Sequence, residues 1–291
     1  MRVSCPRCQP NRSKSSKTCP VVRFGQFYRR SDSRQIQRFR CLACKKTFSN
    51  ATFHPCFKQK KRHKNEPLRK LLSSGVSQRR AARLLHINLK TVARKLIFLS
   101  HEARTKLHLY NIERPKALVI EFDDLETFEH TKCKPLSVTL AVESETRRIL
   151  GFRVAQMPAK GLLAKISVKK YGKRRDFRSQ ERKFLFQGLK PYVHEKATIK
   201  SDSNPHYPED VKRFFPEAKH ETFLGARGST TGQGELKKLR FDPLFSLNHT
   251  CAKLRADINR LFRKTWCTTK KPPRLADHLA IYALYHNQNL A

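Results

Sequence analysis

Acidic side chains are scarce in this sequence: 23 Asp and Glu stand against 63 Lys and Arg among 291 residues, a net charge of +40. Such an imbalance calls for a partner with dense negative charge, nucleic acid first and an anionic membrane surface second. The second is disfavoured because the basic residues are spread over folded elements and are not gathered on one amphipathic helix. No apolar run approaches the roughly 18–20 residues needed to span a bilayer, and the N-terminus lacks the apolar segment of a signal peptide. The expected location is therefore cytoplasmic, at the nucleoid. The nine cysteines are odd in number and partly paired at close spacing, which suits metal ligands and free thiols better than a disulfide framework. A Walker loop is also missing. Gly225–Gly234 (GARGSTTGQG) has no Gly-Lys-Ser/Thr ending and reads as a flexible active-site loop.

With 38% hydrophobic residues, the chain is long enough for one large domain and one or two small ones. Residues 1–57 hold two C-x-x-C knuckles, Cys5–Cys8 and Cys41–Cys44, about thirty residues apart. Each can give two thiolates to one tetrahedral Zn²⁺, and the alternation in Val21–Tyr28 and Gln35–Arg40 predicts short strands between them, the pattern of a zinc ribbon. Cys19 and Cys56 are alternative ligands. Arg23, Phe24, Phe27, Tyr28, Arg38, Phe39 and Arg40 interleave charge with aromatic rings, as a nucleic-acid face does, although a ribbon this small needs some of those rings for its core. The run at 58–66 (KQKKRHKNE) reads as a basic linker that contacts phosphates.

From Pro67 to Ala103 the period becomes helical. Ser77 is positioned to N-cap a helix through Leu85, and Asn88 another through Ser100. The string GVSQRRAARLLHINLKTVARKL resembles a DNA-binding helix-turn-helix. Its core would be Ala81, Ala82, Leu84, Leu85, Ile87, Val92 and Leu96, and Lys90, Thr91, Arg94 and Lys95 would face DNA from the recognition helix. His86 reads as a structural turn residue. Arg104–Pro115 then reads as a link.

The large domain, 116–291, begins at ALVIEFDDLETF. The apolar run Ala117–Ile120 predicts a buried strand, and it ends in Glu121, Asp123 and Asp124. Strands at Ala117–Asp123, Leu136–Val142 and Arg148–Val154 suit an antiparallel meander. A helix at Gln180–Leu189, a strand at Ala197–Asp202, a helix at Pro208–Phe215 and a strand near His220–Phe223 follow, which predicts an α/β mixed sheet with helices packed on it. Lys160–Arg178 reads as a basic loop. Asp202 ends its strand as Asp123 ends the first. If the two strands are neighbours, both carboxylates face one site and can hold divalent cations. Leu244–Trp266 reads as one long amphipathic helix, with Leu247, Cys251, Leu254, Ile258, Leu261 and Phe262 inside and Lys253, Arg260, Arg263 and Lys264 outside. A last helix spans Leu275–His286.

Taken together, EFDDLETF, KSDSNPHY and SLNHTCAKLRADINRLFRKTWCTTKK resemble the three catalytic motifs of bacterial insertion-sequence transposases of the DDE class. These proteins join a zinc ribbon and a helix-turn-helix to an RNase H-like core. The resemblance implies metal-dependent cleavage and strand transfer of DNA, with two Mg²⁺ or Mn²⁺ ions roughly 3.5–4 Å apart bridged by Asp123. It carries Asp123 and Asp202 over as metal ligands. The third position is Asn248 where such enzymes have glutamate, with Glu235 as an alternative ligand. Arg255, or failing that Lys253, matches the basic residue that contacts the element's end. The implied partners are double-stranded DNA, as transposon ends and target, and a second copy of the chain. A DNA-binding regulator and a hydrolysis-only nuclease share most of these features.

Overall fold

The computed structural model describes residues 3–8, 20–30, 32–224, 242–262 and 265–290. The chain divides into two units, Met1–Pro67 and Leu68–Ala291. Cys19, Gly225–Gly234, Glu235, Arg263 and Lys264 lie outside the described residues.

In the first unit, β1 (Val21–Arg29), β2 (Arg34–Cys41) and β3 (Thr47–Ser49) form an antiparallel sheet in that order. Its core is small: Cys5, Cys41 and Phe48 are buried, with Val3, Cys8, Val21, Phe39 and Cys44 packed around them. Phe39 thus belongs to the core, whereas Phe24, Phe27 and Tyr28 are exposed. The basic run at 58–66 is not bare linker. It contains a 3₁₀ turn at Arg62–Lys64 and the start of α1 (Asn65–Leu72), where the Asn65 amide donates to Gln59 Oε1 at 2.7 Å.

In the second unit, α2 (Gln78–Leu84) and α3 (Leu89–Ile112) start as expected. Ser77 Oγ accepts from the Arg80 N–H and Asn88 Oδ1 from the Lys90 N–H. These caps satisfy backbone donors that have no partner within the helix. Ala81, Ala82, Leu85, Ile87, Val92 and Leu96 are buried together, but Leu84 is exposed, contrary to its expected core role. The expected link after Ala103 is also overturned. α3 runs on to Ile112, because Ala103, Leu107 and Asn111 extend its buried stripe, and it stops ahead of Pro115. That long helix packs on α8 (Pro272–Gln288), whose Ala280, Ile281 and Leu284 share its core. Ser100 Oγ donates to Asp277 at 2.8 Å, and His278 Nε2 lies 2.7 Å from the Leu72 carbonyl. The helix-turn-helix is therefore built into the larger unit.

The meander β4 (Ala117–Phe128), β5 (Pro135–Glu143) and β6 (Ile149–Gln156) is antiparallel. α4 (Leu163–Tyr171), in a segment read as loop, and α5 (Arg178–Leu189) lead to β7 (Val193–Asp202). α6 (Tyr207–Phe214) leads to β8 (Lys219–Phe223). The strand order is β6-β5-β4-β7-β8, with β4, β7 and β8 parallel. One apolar layer joins the sheet to residues of α3, α7 (Phe245–Asp257) and α8, and a second joins it to α5 and α6. β5 is accordingly buried along nearly its whole length, as a strand covered on both faces must be. The expected helix Leu244–Trp266 ends at Asp257, where Ile258 turns extended. Ile258 and Leu261 are buried in the following turn in the same core, so apolar spacing persists after the helix has stopped. Among the described residues, no helix is long and apolar enough to cross a membrane.

Because α1–α3 share a core with α8, Leu96→Ala is expected to cost about 2–5 kcal/mol. Calorimetry should show it lowering the single transition of the whole second unit. A separate low-temperature transition for the three helices would contradict this packing.

Candidate metal centre and carboxylate site

The sulfurs of Cys5, Cys8, Cys41 and Cys44 all lie within 4.8 Å of one another. Cys5 and Cys44 are 3.5 Å apart, and Cys8 and Cys41 are 3.9 Å apart. A tetrahedral Zn²⁺ with Zn–S bonds near 2.3 Å sets its sulfurs about 3.8 Å apart, so the four fit a structural zinc. The Cys44 backbone N–H holds the Cys41 thiol down to about 6, which favours the thiolate that binds metal. Cys56 lies elsewhere, accepting from the Asn65 amide, and is not in the cluster. No other group of three or more such ligands occurs among the described residues.

In the second unit, β4 and β7 pair in parallel with Phe122 opposite Ser201, so Asp123 and Asp202 follow side by side. Asp202 ends β7, but Asp123 does not end its strand as expected, because pairing with β5 carries β4 on to Phe128. Asp123 Oδ1 accepts from the Tyr207 hydroxyl at 3.2 Å and from the Asp124 N–H at 2.6 Å. Burial, with the charges of Asp202 and Asp124 adding to it, pushes Asp123 up to about 7. Burial, and secondarily the Asp124 charge, also raises Asp202. Three carboxylates thus repel one another along the β4–β7 pair in the middle of the sheet, and Thr139 Oγ1 holds Asp124 by a hydrogen bond. Glu121, by contrast, is a structural carboxylate. It is 2% exposed and accepts from the Leu247 N–H at 2.8 Å and from Ser144 Oγ at 2.7 Å.

That bond to Leu247 seats the start of α7, where Asn248 is exposed. The Asn248 amide donates to Asp242 Oδ2 at 2.9 Å, and Asp242 Oδ1 also accepts from the Leu244 N–H. Asn248, Cys251 and Arg255 share one helix face at spacings of three and four. Cys251 feels the charges of both Asp123 and Arg255, and its thiol, raised chiefly by burial, is pushed up to about 12. Cys251, between Asn248 and Arg255 on that face, is the residue that senses the Asp123 charge. Lys253 points elsewhere, into a cavity with His286. On α3, the expected recognition helix, Lys90 and Arg94 are exposed and Thr91 is half-buried, but Lys95 is 3% exposed. Lys95 is thus removed from the expected DNA-facing set, because its position falls on the stripe that α3 buries.

No protein-family model matches this chain, and no curated protein matches it. A search of solved structures finds a chain in the cryo-EM structure of the simian T-cell lymphotropic virus intasome in complex with PP2A regulatory subunit B56 gamma. It is 14% identical, the match covers 73% of this chain and 72% of that one, and the TM-score is 0.23. At that score the likeness carries no argument about fold or activity.

Sequence reading missed Tyr207 and Asp242 as partners of the candidate site. Tyr207 ends the KSDSNPHY string, and no periodicity marks its hydroxyl. Asp242 lies in the turn before α7, where its Oδ1 accepts from the Leu244 N–H, and no motif marks it.

Two outcomes are expected. The purified chain should carry a single zinc by metal analysis, and Cys41→Ser should lose it together with the β1–β3 fold, while the second unit keeps its helical signal. For Asp123, the folded carboxyl titrates near 7 and an unfolded one near 3.9. The folded state therefore holds a proton that the unfolded state has released, and stability falls as pH rises from about 4 to about 7. Asp123→Asn should remove that slope and raise Tm at pH 8 without divalent cations, by about 2–4 °C per kcal/mol recovered. A lowered Tm at pH 8 would contradict the repulsion.

Proposed function

We propose that this chain is a DNA transposase of the DDE class with an RNase H-like core, which cuts the ends of its element and joins them to target DNA. The observation that carries the reading is the parallel pairing of β4 with β7, which sets Asp123 and Asp202 side by side, with Cys251, on the Asn248–Arg255 face of α7, sensing the Asp123 charge. The antiparallel meander followed by two parallel strands with helical crossovers supports it. The four-cysteine cluster, the capped helix-turn-helix and the net charge of +40 support it as well.

Asp123 and Asp202 offer the hard oxygen ligands that Mg²⁺ and Mn²⁺ take, and their mutual repulsion is what a bound cation relieves. When bound, such ions activate a water or 3′-hydroxyl nucleophile and stabilise the leaving oxygen. The Tyr207 hydroxyl orients Asp123. Asn248 adds a neutral oxygen, with its amide nitrogen held by Asp242, and Arg255 is the cation on that face for a DNA phosphate. Pairing two DNA ends calls for two copies of the chain. The asparagine at the third position favours one alternative, a DNA-binding regulator without catalysis.

Mg²⁺- or Mn²⁺-dependent cleavage and joining of a labelled DNA carrying the element's own ends tests the reading. Wild-type joining that Asp123→Asn and Asp202→Asn both lose, by a thousandfold or more in rate and with DNA binding intact, is the expected result. Binding without cleavage in all three proteins would establish the regulator, and cleavage without joining a nuclease.

A further inference from the structure

A cavity of about 510 Å³ opens in the second unit between the α1–α2 turn, the β5–β6 turn, α7 and α8, and nothing in the proposed chemistry uses it. Arg147, Lys253 and His286 line it, and so do the hydroxyl-bearing Ser73, Tyr282 and Tyr285. Neither Arg147 nor Lys253 has an ion pair among the described residues. Arg147 Nη1 instead faces another basic side chain, 3.4 Å from the ring nitrogens of His249. The lone carboxylate on the wall, Asp257, accepts a hydrogen bond from the Tyr282 hydroxyl at 2.6 Å. Ser73 is 2% exposed, and its buried Oγ has no hydrogen-bond partner. A buried hydroxyl without a partner is costly unless something in the cavity accepts from it.

The wall is also built rather than loose. His286 Nε2 meets the Arg147 carbonyl at 2.9 Å, and Asn287 bonds both the N–H and the carbonyl of Ile149. The Gly75 N–H donates to the Asp257 carbonyl at 2.6 Å. Burial chiefly, and after it the neighbouring charges of Lys253, Arg147 and His249, lowers His286.

We propose that this cavity is an anion site that takes a phosphate ester, with Arg147 and Lys253 supplying charge and Ser73 a hydrogen-bond donor. Two sources carry that chemistry, a DNA phosphodiester and a free nucleotide. The net charge of +40 favours DNA over a free nucleotide, with the phosphate met on a face of α7 other than the one that carries Asn248 and Arg255. That source rests on the function proposed above.

The test uses the full chain and its variants Arg147→Gln, Lys253→Gln, the double variant and Ser73→Ala. Fluorescence anisotropy with a labelled DNA duplex is measured across a salt series, beside melting curves with inorganic phosphate or a deoxynucleoside monophosphate at constant ionic strength. For DNA, the slope of log K against log salt should fall by about 0.9 for each phosphate no longer neutralised, so each single charge variant binds roughly eightfold more weakly at 0.1 M salt. Ser73→Ala keeps the slope, weakens binding severalfold, and serves where the double variant does not fold. A Tm rise with nucleotide that the variants lose, with the DNA slope unchanged, assigns the site to free nucleotide. Unchanged slopes and no ligand-dependent Tm rise overturn the proposal. Absence of any DNA binding by the wild type removes the transposase reading instead, and the nucleotide arm still decides the cavity.

Discussion

The buried carboxylate of Glu121 is the tie on which the candidate site depends. It lies on β4, two residues before Asp123, and receives hydrogen bonds from the N-terminal backbone of α7 and from Ser144 at the end of β5. A negative charge there meets the partial positive charge and unpaired N–H groups of a helix start. It fixes the register of α7 against β4 together with the Glu145 N–H bond to Ser246 Oγ and the burial of Leu247 and Leu254. The same bond also sets Lys253 on its cavity, so both sites on α7 share one anchor.

Charge imbalance governs the rest of the molecule. With so few acids, carboxylates are spent in particular places: Asp277 beside Ser100, Arg104 and Arg274, Asp210 against Arg182, and Glu143 against Arg148. These are partly or wholly buried pairs, where leaving one partner alone costs most. The acids of the β4–β7 pair are the exception. Among the described residues, Asp123, Asp124 and Asp202 sit together with no ion pair, a repulsive arrangement in a protein rich in cations. Among the described residues, the inverse arrangement occurs around Arg147 and Lys253.

Much of this architecture was legible in the chain. The N-caps at Ser77 and Asn88, the knuckle cysteines, the strand end at Asp202 and the antiparallel meander all follow from local signals, because caps, metal spacing and period-two burial act over a few residues. The strand expected to end at Asp123 runs on to Phe128. The failures share one cause. Lys95, Leu84, the helical continuation through Arg104–Ile112 and the early end of α7 were decided by contacts with α8 and the sheet, far away in sequence. Periodicity cannot report which face of a helix meets a distant partner, or that Ile258 and Leu261 are buried in a turn and not on a helix.

By itself, then, the sequence determined which four cysteines cluster, the helix starts and the strand end at Asp202, since each depends on residue type and near neighbours. Only the tertiary structure decided that β4 and β7 are adjacent, that Glu121 holds the Leu247 N–H, and that Arg147 and Lys253 line one cavity. Those pairings join residues up to more than a hundred positions apart, and only the packed sheet and helices bring their side chains within bonding distance.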